Sequence, residues 1–209
     1  MEPIKVIKET KVVAVIRKAN EKNIVAILQA LAAGGVKAVE ITAETPNVAS
    51  VIAVAHEKMK DDICIGAGTV LDPETARLVM LAGADFIVSP TLNIATLKLA
   101  NRYGIPVIPG VLTPTEIVTA YEHGASMVKI FPAETVGTSY IKNILGPLPH
   151  IEAMVTGGIT LNNMNDYLKQ GAKAVGIGSN LVNAPSLTTE ADYEQLTKTA
   201  GEYIKRAAE

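Results

Sequence analysis

The stretch Tyr121–Ile130, YEHGASMVKI, contains the unit that decides the fold. A helical segment ends at a glycine, a short turn follows, and an apolar run then begins a strand. The same pattern recurs in LAAGGVKAVEI (Leu31–Ile41), LAGADFIVS (Leu81–Ser89) and KQGAKAVGIG (Lys169–Gly178). Repetition of this unit is typical of strands that alternate with helices around a parallel sheet.

Eight short apolar runs rich in β-branched residues lie along the chain, each followed by a longer segment with helical spacing. No Pro/Ser-rich or charged linker interrupts this rhythm, and α/β barrels of 200 residues or more are common as single domains. We therefore predict one α/β domain over residues 1–209, a closed (β/α)8 TIM barrel with an eight-stranded parallel core. The runner-up is an open doubly wound sheet, whose dinucleotide-binding form is disfavoured because no GxGxxG follows the first strand. The runs are VVAVIR (12–17), AVEIT (38–42), ICIGAG (63–68), DFIVSP (85–90), PVIPG (106–110), MVKIFP (127–132), EAMVTGG (152–158) and AVGIGS (174–179).

The composition excludes several classes of function. With 48% apolar residues and a formal net charge of -2, the chain has neither a disordered tail nor a basic surface for nucleic acid. No apolar run is long enough to span a bilayer and the N-terminus lacks the pattern of a signal peptide, so we expect a cytoplasmic protein with no membrane partner. The single cysteine, Cys64, and the lack of a Cys/His cluster disfavour a disulfide or a structural zinc site.

The segment MVKIFPAE, Met127–Glu134, places a lysine inside an otherwise apolar run. Lys129 has two interpretations. Its ammonium group can extend to water from the strand end. Alternatively, burial lowers its pKa and keeps a neutral amine that attacks a ketone to form a Schiff base.

Residues at the carboxyl ends of barrel strands converge on one pocket, and this rule brings Arg17, Glu40 and Lys129 together. Glu40 is the only carboxylate within a strand-end apolar run of this set. It is a candidate to move protons during carbon–carbon bond cleavage, or it forms an ion pair with Lys129, and the two roles are compatible.

Two glycine-rich turns, VTGGIT (155–160) and GIGSN (176–180), end the seventh and eighth predicted strands. A barrel often binds phosphate at this position through backbone N–H groups, although such glycines also serve simple turn geometry. Both turns occur where the barrel predicts them, which favours a phosphorylated substrate.

The segment GASMVKIFPAETVG, Gly124–Gly137, resembles the Schiff-base lysine motif of the 2-dehydro-3-deoxy-phosphogluconate (KDPG) aldolase and 4-hydroxy-2-oxoglutarate (KHG) aldolase family. The resemblance spans essentially the whole chain. It implies a class I aldolase of carbohydrate metabolism and the Entner–Doudoroff pathway, which needs no metal and no cofactor and forms a homotrimer. Its substrates would be a keto acid that yields pyruvate and an aldehyde, phosphorylated in the KDPG case. The other matching motifs, in family order, are VVAVIR, GGVKAVEIT, IGAGTV, FIVSP, IPGVLTPTE and VTGGI.

The resemblance also implies roles near the keto acid. Lys129 would carry the imine, and Glu40 would shuttle protons through a bound water. Thr69 and Pro90 would flank the pyruvate portion, and Phe131 would pack on it.

At the aldehyde end, the resemblance places Thr156 beside the hydroxyl derived from the aldehyde. Gly157, Gly158 and Ser179 would hold the phosphate. Arg17 would supply positive charge for an anionic group.

One departure from the family pattern affects substrate binding. Members commonly continue the glutamate motif with a bulky residue and an arginine that binds the substrate carboxylate, whereas this chain has Ala43 and Glu44 in EITAET. Either Arg17 takes over the carboxylate, or the preferred substrate differs, or the protein is a repurposed relative; Glu44 can equally point to solvent. The competing functions are a phosphate-binding epimerase or isomerase, in which Lys129 has no covalent role, and a non-catalytic phosphosugar-binding protein.

Overall fold

The structure is a computed structural model that describes residues 2–209. The described residues form nine parallel strands in the order β5-β4-β3-β2-β1-β9-β8-β7-β6. Every strand is buried along its whole length, as expected for apolar, β-branched runs covered by helices outside and by one another inside. The strands are β1 (Val12–Ile16), β2 (Ala38–Thr42), β3 (Cys64–Gly68), β4 (Phe86–Val88), β5 (Val107–Ile108), β6 (Gly110–Val111), β7 (Val128–Ile130), β8 (Ala153–Thr156) and β9 (Ala174–Ile177).

The predicted eight-stranded barrel is confirmed, with its fifth run divided into β5 and β6. Proline has no backbone N–H to donate, and the break falls at Pro109. β5 pairs with β4, whereas β6 pairs with β7. The first and last strands of the order, β5 and β6, are therefore joined covalently through Pro109. The carbonyl of Pro109 still accepts a hydrogen bond of 2.8 Å from the N–H of Lys129.

Helices follow the strands around the barrel, and several begin at polar residues that satisfy free N–H groups. Asp72 and Asn93 cap α4 and α5, and reciprocal capping boxes at Thr113 and Thr189 begin α6 and α10. The helices are α1 (Pro3–Thr10), α2 (Ile24–Ala33), α3 (Val48–Met59), α4 (Pro73–Leu81), α5 (Ile94–Arg102), α6 (Pro114–Glu122), α7 (Ala133–Val136), α8 (Thr138–Leu145), α9 (Met164–Lys169) and α10 (Glu190–Ala207), with a 3-10 helix at Ala184–Ser186.

The barrel interior has its own apolar cluster, separate from the larger core between strands and helices. Ala38 and Met127, at the amino-terminal ends of their strand runs, belong to the inner cluster, together with Ile7 of α1. Side chains two positions apart share a face of a strand, so Glu40 and Lys129 also point inward. The barrel is therefore filled with apolar groups below and carries its charged pair above, toward the carboxyl ends of the strands.

Across residues 2–209, the structure has no helix long and apolar enough to cross a membrane.

Candidate active site

Lys129 and Glu40 face each other inside the barrel. Their side chains are 5% and 1% exposed, and Lys129 Nζ lies 3.9 Å from Glu40 Oε1. The strand register places Glu40 beside Gly66 and Lys129 beside Gly110, so each charged side chain has a glycine as neighbour. The structure thus supports the buried interpretation of Lys129 over extension to water.

The electrostatics of Glu40 follow from its burial. Loss of hydration raises the pKa of Glu40 above its ordinary value, while the positive charges of Lys129 and Arg17 oppose this shift and the negative charge of Glu44 adds to it. Within residues 2–209, Glu40 Oε2 has no hydrogen-bond partner. Because an unpaired buried carboxyl oxygen is costly, a water or substrate group is its expected partner.

The residues predicted to surround the keto acid lie at the adjacent strand ends. The ring centre of Phe131 lies 5.1 Å from Lys129 Nζ. Thr69 follows Gly68 directly, and a β-carbon on Gly68 would lie 2.8 Å from Glu40 Oε1. Pro90 follows the buried Ser89, and its backbone touches Gly110, the neighbour of Lys129.

A cavity of about 130 Å³ lies near the Lys129–Glu40 pair. Six of the predicted site residues line it, whereas Lys129, Glu40, Thr69 and Pro90 do not. Phe131 links the cavity to the buried pair, since this residue lines the cavity and its ring lies near the Lys129 amine. The lining residues are Val15, Arg17, Phe131, Thr156, Gly157, Gly158, Ile159, Gly176, Gly178, Ser179 and Asn180.

The turn after β8 exposes its N–H groups. Gly157 and Gly158 have φ angles of 100° and 73°, in the region that favours glycine. The carbonyl of Gly157 accepts a hydrogen bond from the N–H of Glu134 (3.1 Å), and the carbonyl of Gly158 accepts one from Asn163 Nδ2 (2.8 Å). In the part of the chain that the structure describes, the N–H groups of Gly158 and Ile159 donate no hydrogen bond. Such unpaired N–H groups in successive residues form a concave site for anions.

Arg17 extends from the end of β1 toward the turn after β9. Its side chain is exposed, and a β-carbon on Gly178 would lie 2.9 Å from its Nη1 atom. The structure therefore places Arg17 at the glycine-rich cavity. Glu44 is exposed, beyond the end of β2.

The match to known proteins agrees with this geometry. Residues 4–199 match the family model described as "KDPG and KHG aldolase". A 2-dehydro-3-deoxy-phosphogluconate aldolase of Pseudomonas aeruginosa is 36% identical over 203 residues, which cover 97% of this chain and 91% of that protein.

The chain belongs to the KDPG and KHG aldolase family. The resemblance seen in the sequence is therefore confirmed.

Solved structures of similar proteins share this fold. The KDPG aldolase of Legionella pneumophila, with pyruvate captured as a covalent carbinolamine intermediate, has a TM-score of 0.88 and 30% identity, covering 96% of this chain and 97% of that one. A cube-shaped cage designed by fusing symmetric oligomeric domains has a TM-score of 0.87 and 31% identity, covering 94% of this chain and 71% of that one.

Sequence reasoning assigned no individual role to three residues that shape the cavity of this family member. Asn163 and Asn180 hold carbonyls of the turn after β8, while Ile159 contributes to the cavity wall. An asparagine soon after a glycine-rich turn is the one available signal, because asparagine side chains commonly bind nearby backbone groups. The sequence does not indicate which carbonyl each one binds.

Thr156 has an unusual position for a hydroxyl group. It is 5% exposed, and its Oγ1 has no hydrogen-bond partner within the described residues. Because it also lines the cavity, it is available to a ligand hydroxyl.

Among residues 2–209 there is no group of three or more His, Cys, Asp and Glu side chains that could hold a metal ion.

Proposed function

We propose that this protein is a class I aldolase that uses Lys129 as its Schiff-base residue. It would split a 2-keto-3-deoxy-6-phosphosugar acid reversibly into pyruvate and glyceraldehyde 3-phosphate, and/or 4-hydroxy-2-oxoglutarate into pyruvate and glyoxylate. The observation that carries the proposal is the buried Lys129 amine beside the buried Glu40 carboxyl at the carboxyl end of the barrel. A lysine amine can attack a ketone to form a Schiff base, and a carboxyl group beside it can move the protons that this reaction requires.

The reaction begins when the Lys129 amine attacks the keto carbon and forms a carbinolamine, which loses water to give a protonated imine. The C4 hydroxyl then loses its proton, the C3–C4 bond breaks, and its electron pair moves toward the imine nitrogen to form an enamine. The aldehyde leaves, the enamine carbon gains a proton, and water releases pyruvate from Lys129. A general acid–base must move each of these protons.

Glu40 is proposed as that acid–base, acting through a bound water. Burial raises the pKa of Glu40, so its carboxyl can both accept and donate a proton closer to neutral pH. Oε1 faces Lys129, whereas Oε2 is free of protein partners in residues 2–209 and is the atom suited to hold the water.

The pyruvate portion would lie between Thr69 and Pro90, with Phe131 packed on it. This placement is supported by the contacts of their neighbours Gly68 and Gly110 with the charged pair. Apolar packing on pyruvate would also limit water near the imine.

The phosphate would lie against the turns after β8 and β9. Free N–H groups at Gly158 and Ile159 and the Arg17 guanidinium support an anion there, and Ser179 adds a hydroxyl. Thr156, which lines the same cavity and has an unpaired Oγ1 within residues 2–209, would bind the hydroxyl of the aldehyde-derived part.

Borohydride trapping tests this proposal directly. Incubation with pyruvate and borohydride should attach the reduced pyruvate group to the peptide that contains Lys129, as read by mass spectrometry. An epimerase, an isomerase or a non-catalytic sugar-phosphate binder would give no pyruvate-dependent adduct. Rates of cleavage of the two keto acids would then show which one the protein prefers.

The proposal includes one barrel domain over residues 1–209 and a homotrimer in the cytoplasm. Two exposed apolar side chains support self-association: Leu78 and Leu81 lie three residues apart on α4 and so share a face of the helix. The similar cage protein built from symmetric oligomeric domains supports a second copy as the partner.

Sedimentation tests this assembly. Wild-type protein should sediment as a trimer, and Leu78→Glu with Leu81→Glu should shift it to monomer. Lys198→Glu, on the exposed surface of α10, is the matched control and should leave the trimer intact. A monomeric wild type would exclude the assembly without affecting the proposed chemistry.

A further inference from the structure

The two turns of the phosphate cavity are joined by one side chain. The ladder between β8 and β9 ends at the pair Thr156–Gly176. Beyond this pair, Asn180 Nδ2 donates a hydrogen bond of 2.8 Å to the carbonyl of Ile159. Within residues 2–209, this is the one hydrogen bond between the turn after β8 and the turn after β9.

This bond and the hydrogen bond that the Thr160 N–H donates to Asn163 Oδ1 (2.8 Å) together fix the peptide between Ile159 and Thr160, and only the Asn180 bond ties it to the other turn. Gly157 and Gly158 have no side chains to hold the turn, and both have positive φ angles. The carbonyls of Gly157 and Gly158 accept hydrogen bonds from Glu134 and Asn163, neither of which lies on the turn after β9. The carbonyl of Ile159 depends instead on Asn180, which lies on the other turn.

Asn180 itself lies in a compact turn. The carbonyl of Gly178 accepts the N–H groups of Leu181 and Val182, both at 2.9 Å, so Ser179 and Asn180 lie at the tip. The N–H groups of Ser179 and Asn180 donate no hydrogen bond within the described chain. The Asn180 side chain therefore holds two sets of free N–H groups at one fixed separation across the cavity.

We infer that Asn180 is a positioning residue that keeps these turns arranged for the phosphate of the aldehyde substrate. The inference rests on the proposed aldolase function. Preorganised N–H groups bind an anion without the cost of ordering the turns first. Loss of the Asn180 donor should therefore weaken recognition of the phosphate more than recognition of the rest of the substrate.

The experiment compares two aldehydes that differ only in the phosphate group. In the condensation with pyruvate, glyceraldehyde 3-phosphate and glyceraldehyde are used with wild type, Asn180→Leu and Asn180→Ala. Leucine keeps the shape of asparagine and removes the donor. In both variants, we expect the ratio of kcat/KM for the phosphorylated over the unphosphorylated aldehyde to fall about 5- to 10-fold, mainly through KM, as for loss of one hydrogen bond.

Inorganic phosphate provides a second measurement. Its inhibition constant against glyceraldehyde 3-phosphate should rise by the same factor in both Asn180 variants. Asn183→Ala, an exposed residue in the next part of the same loop, is the control and should keep the wild-type ratio and inhibition constant.

The outcomes separate the inference from the function on which it rests. A wild-type ratio in Asn180→Leu, or equal losses for both aldehydes, would overturn the positioning role while the enzyme remains an aldolase. A wild-type protein that condenses neither aldehyde with pyruvate and forms no borohydride adduct would overturn the proposed function itself.

Discussion

Lys129 Nζ and Glu40 Oε1 are 3.9 Å apart, and both side chains are almost completely buried. This separation is longer than a hydrogen bond but allows a strong charge interaction where water is scarce. Among the causes that oppose the raised pKa of Glu40, Lys129 is the largest. Removal of the Lys129 charge should therefore raise the pKa of Glu40 further.

Replacement of Lys129 tests its covalent role. Lys129→Arg keeps the positive charge beside Glu40 but cannot form an imine, so turnover and the pyruvate adduct should both disappear. Circular dichroism should show that the fold persists. Lys98→Ala, on the exposed face of α5, serves as the control. Substantial turnover in Lys129→Arg or Lys129→Ala would contradict the Schiff-base mechanism.

Replacement of Glu40 tests proton transfer. Glu40→Gln nearly preserves the shape of the side chain and removes its acid–base function, so kcat should fall about 10²- to 10⁴-fold. Steady-state kinetics and thermal melting of the same preparation would measure this effect. If only the melting temperature changes, Glu40 is a structural partner of Lys129.

The raised pKa of Glu40 predicts a specific dependence of stability on pH. Below about pH 4.5, the ordinary pKa of the group, Glu40 is protonated in both the folded and unfolded chains. As pH rises further, the unfolded chain releases this proton first, so the unfolded state binds fewer protons and stability falls. The free energy of unfolding of wild type, minus that of Glu40→Gln, should therefore decrease as pH rises above 4.5. Urea unfolding at several pH values would measure it, and a constant difference would contradict the prediction.

Much of the barrel could be predicted because its signals are local. A glycine-terminated helix followed by an apolar run marks each repeat, and strand-end residues of such repeats meet at one end of the barrel. This reasoning placed Glu40 and Lys129 together correctly. The break at Pro109 within the fifth run was missed, because the run was treated as one strand although proline cannot donate to its neighbour.

The detailed shape of the phosphate cavity could not be predicted in the same way. The bond between Asn180 and Ile159 joins residues 21 positions apart, and it depends on how two turns approach each other. Neither hydrophobic spacing nor turn composition indicates how the two turns lie relative to each other. The direction of the Arg17 side chain likewise follows from space left by Gly178, in the turn after β9.

The contact between Gly68 and Glu40 allows the position of the carboxyl group to be tested without removing it. A β-carbon on Gly68 would lie 2.8 Å from Glu40 Oε1, and the φ angle at Gly68 is not in the left-handed region. Gly68→Ala should therefore displace the carboxyl and lower kcat about tenfold, since misplaced catalytic groups lose rate steeply. Gly201→Ala, in α10, is the control variant, because a β-carbon there would approach only the carbonyl oxygen of Gly34, at 3.9 Å. Wild-type kcat in Gly68→Ala would show that the orientation of Glu40 does not limit turnover.

This chain departs from the usual family pattern at Ala43 and Glu44, and Arg17 is the candidate to replace the missing family arginine. Arg17 lies beside Gly178 in the cavity, whereas Glu44 is exposed at the end of β2. Arg17→Ala should raise KM for the phosphorylated keto acid, because loss of a charge-assisted contact costs about 1.5 to 3 kcal/mol. Glu44→Ala should change KM little, and Glu44→Arg should strengthen pyruvate binding by restoring the family's cation.

Condensation kinetics distinguish the two anionic groups that Arg17 can contact. If Arg17 binds phosphate, Arg17→Ala raises KM for glyceraldehyde 3-phosphate and leaves KM for pyruvate near wild type. If Arg17 replaces the family arginine, KM for pyruvate rises instead, and Glu44→Arg in the Arg17→Ala background should restore it. The position of its guanidinium beside Gly178 favours the first result. If Glu44→Ala loses activity while Arg17→Ala keeps wild-type kinetics, both roles of Arg17 are contradicted. Glu44 would then be a substrate-binding residue.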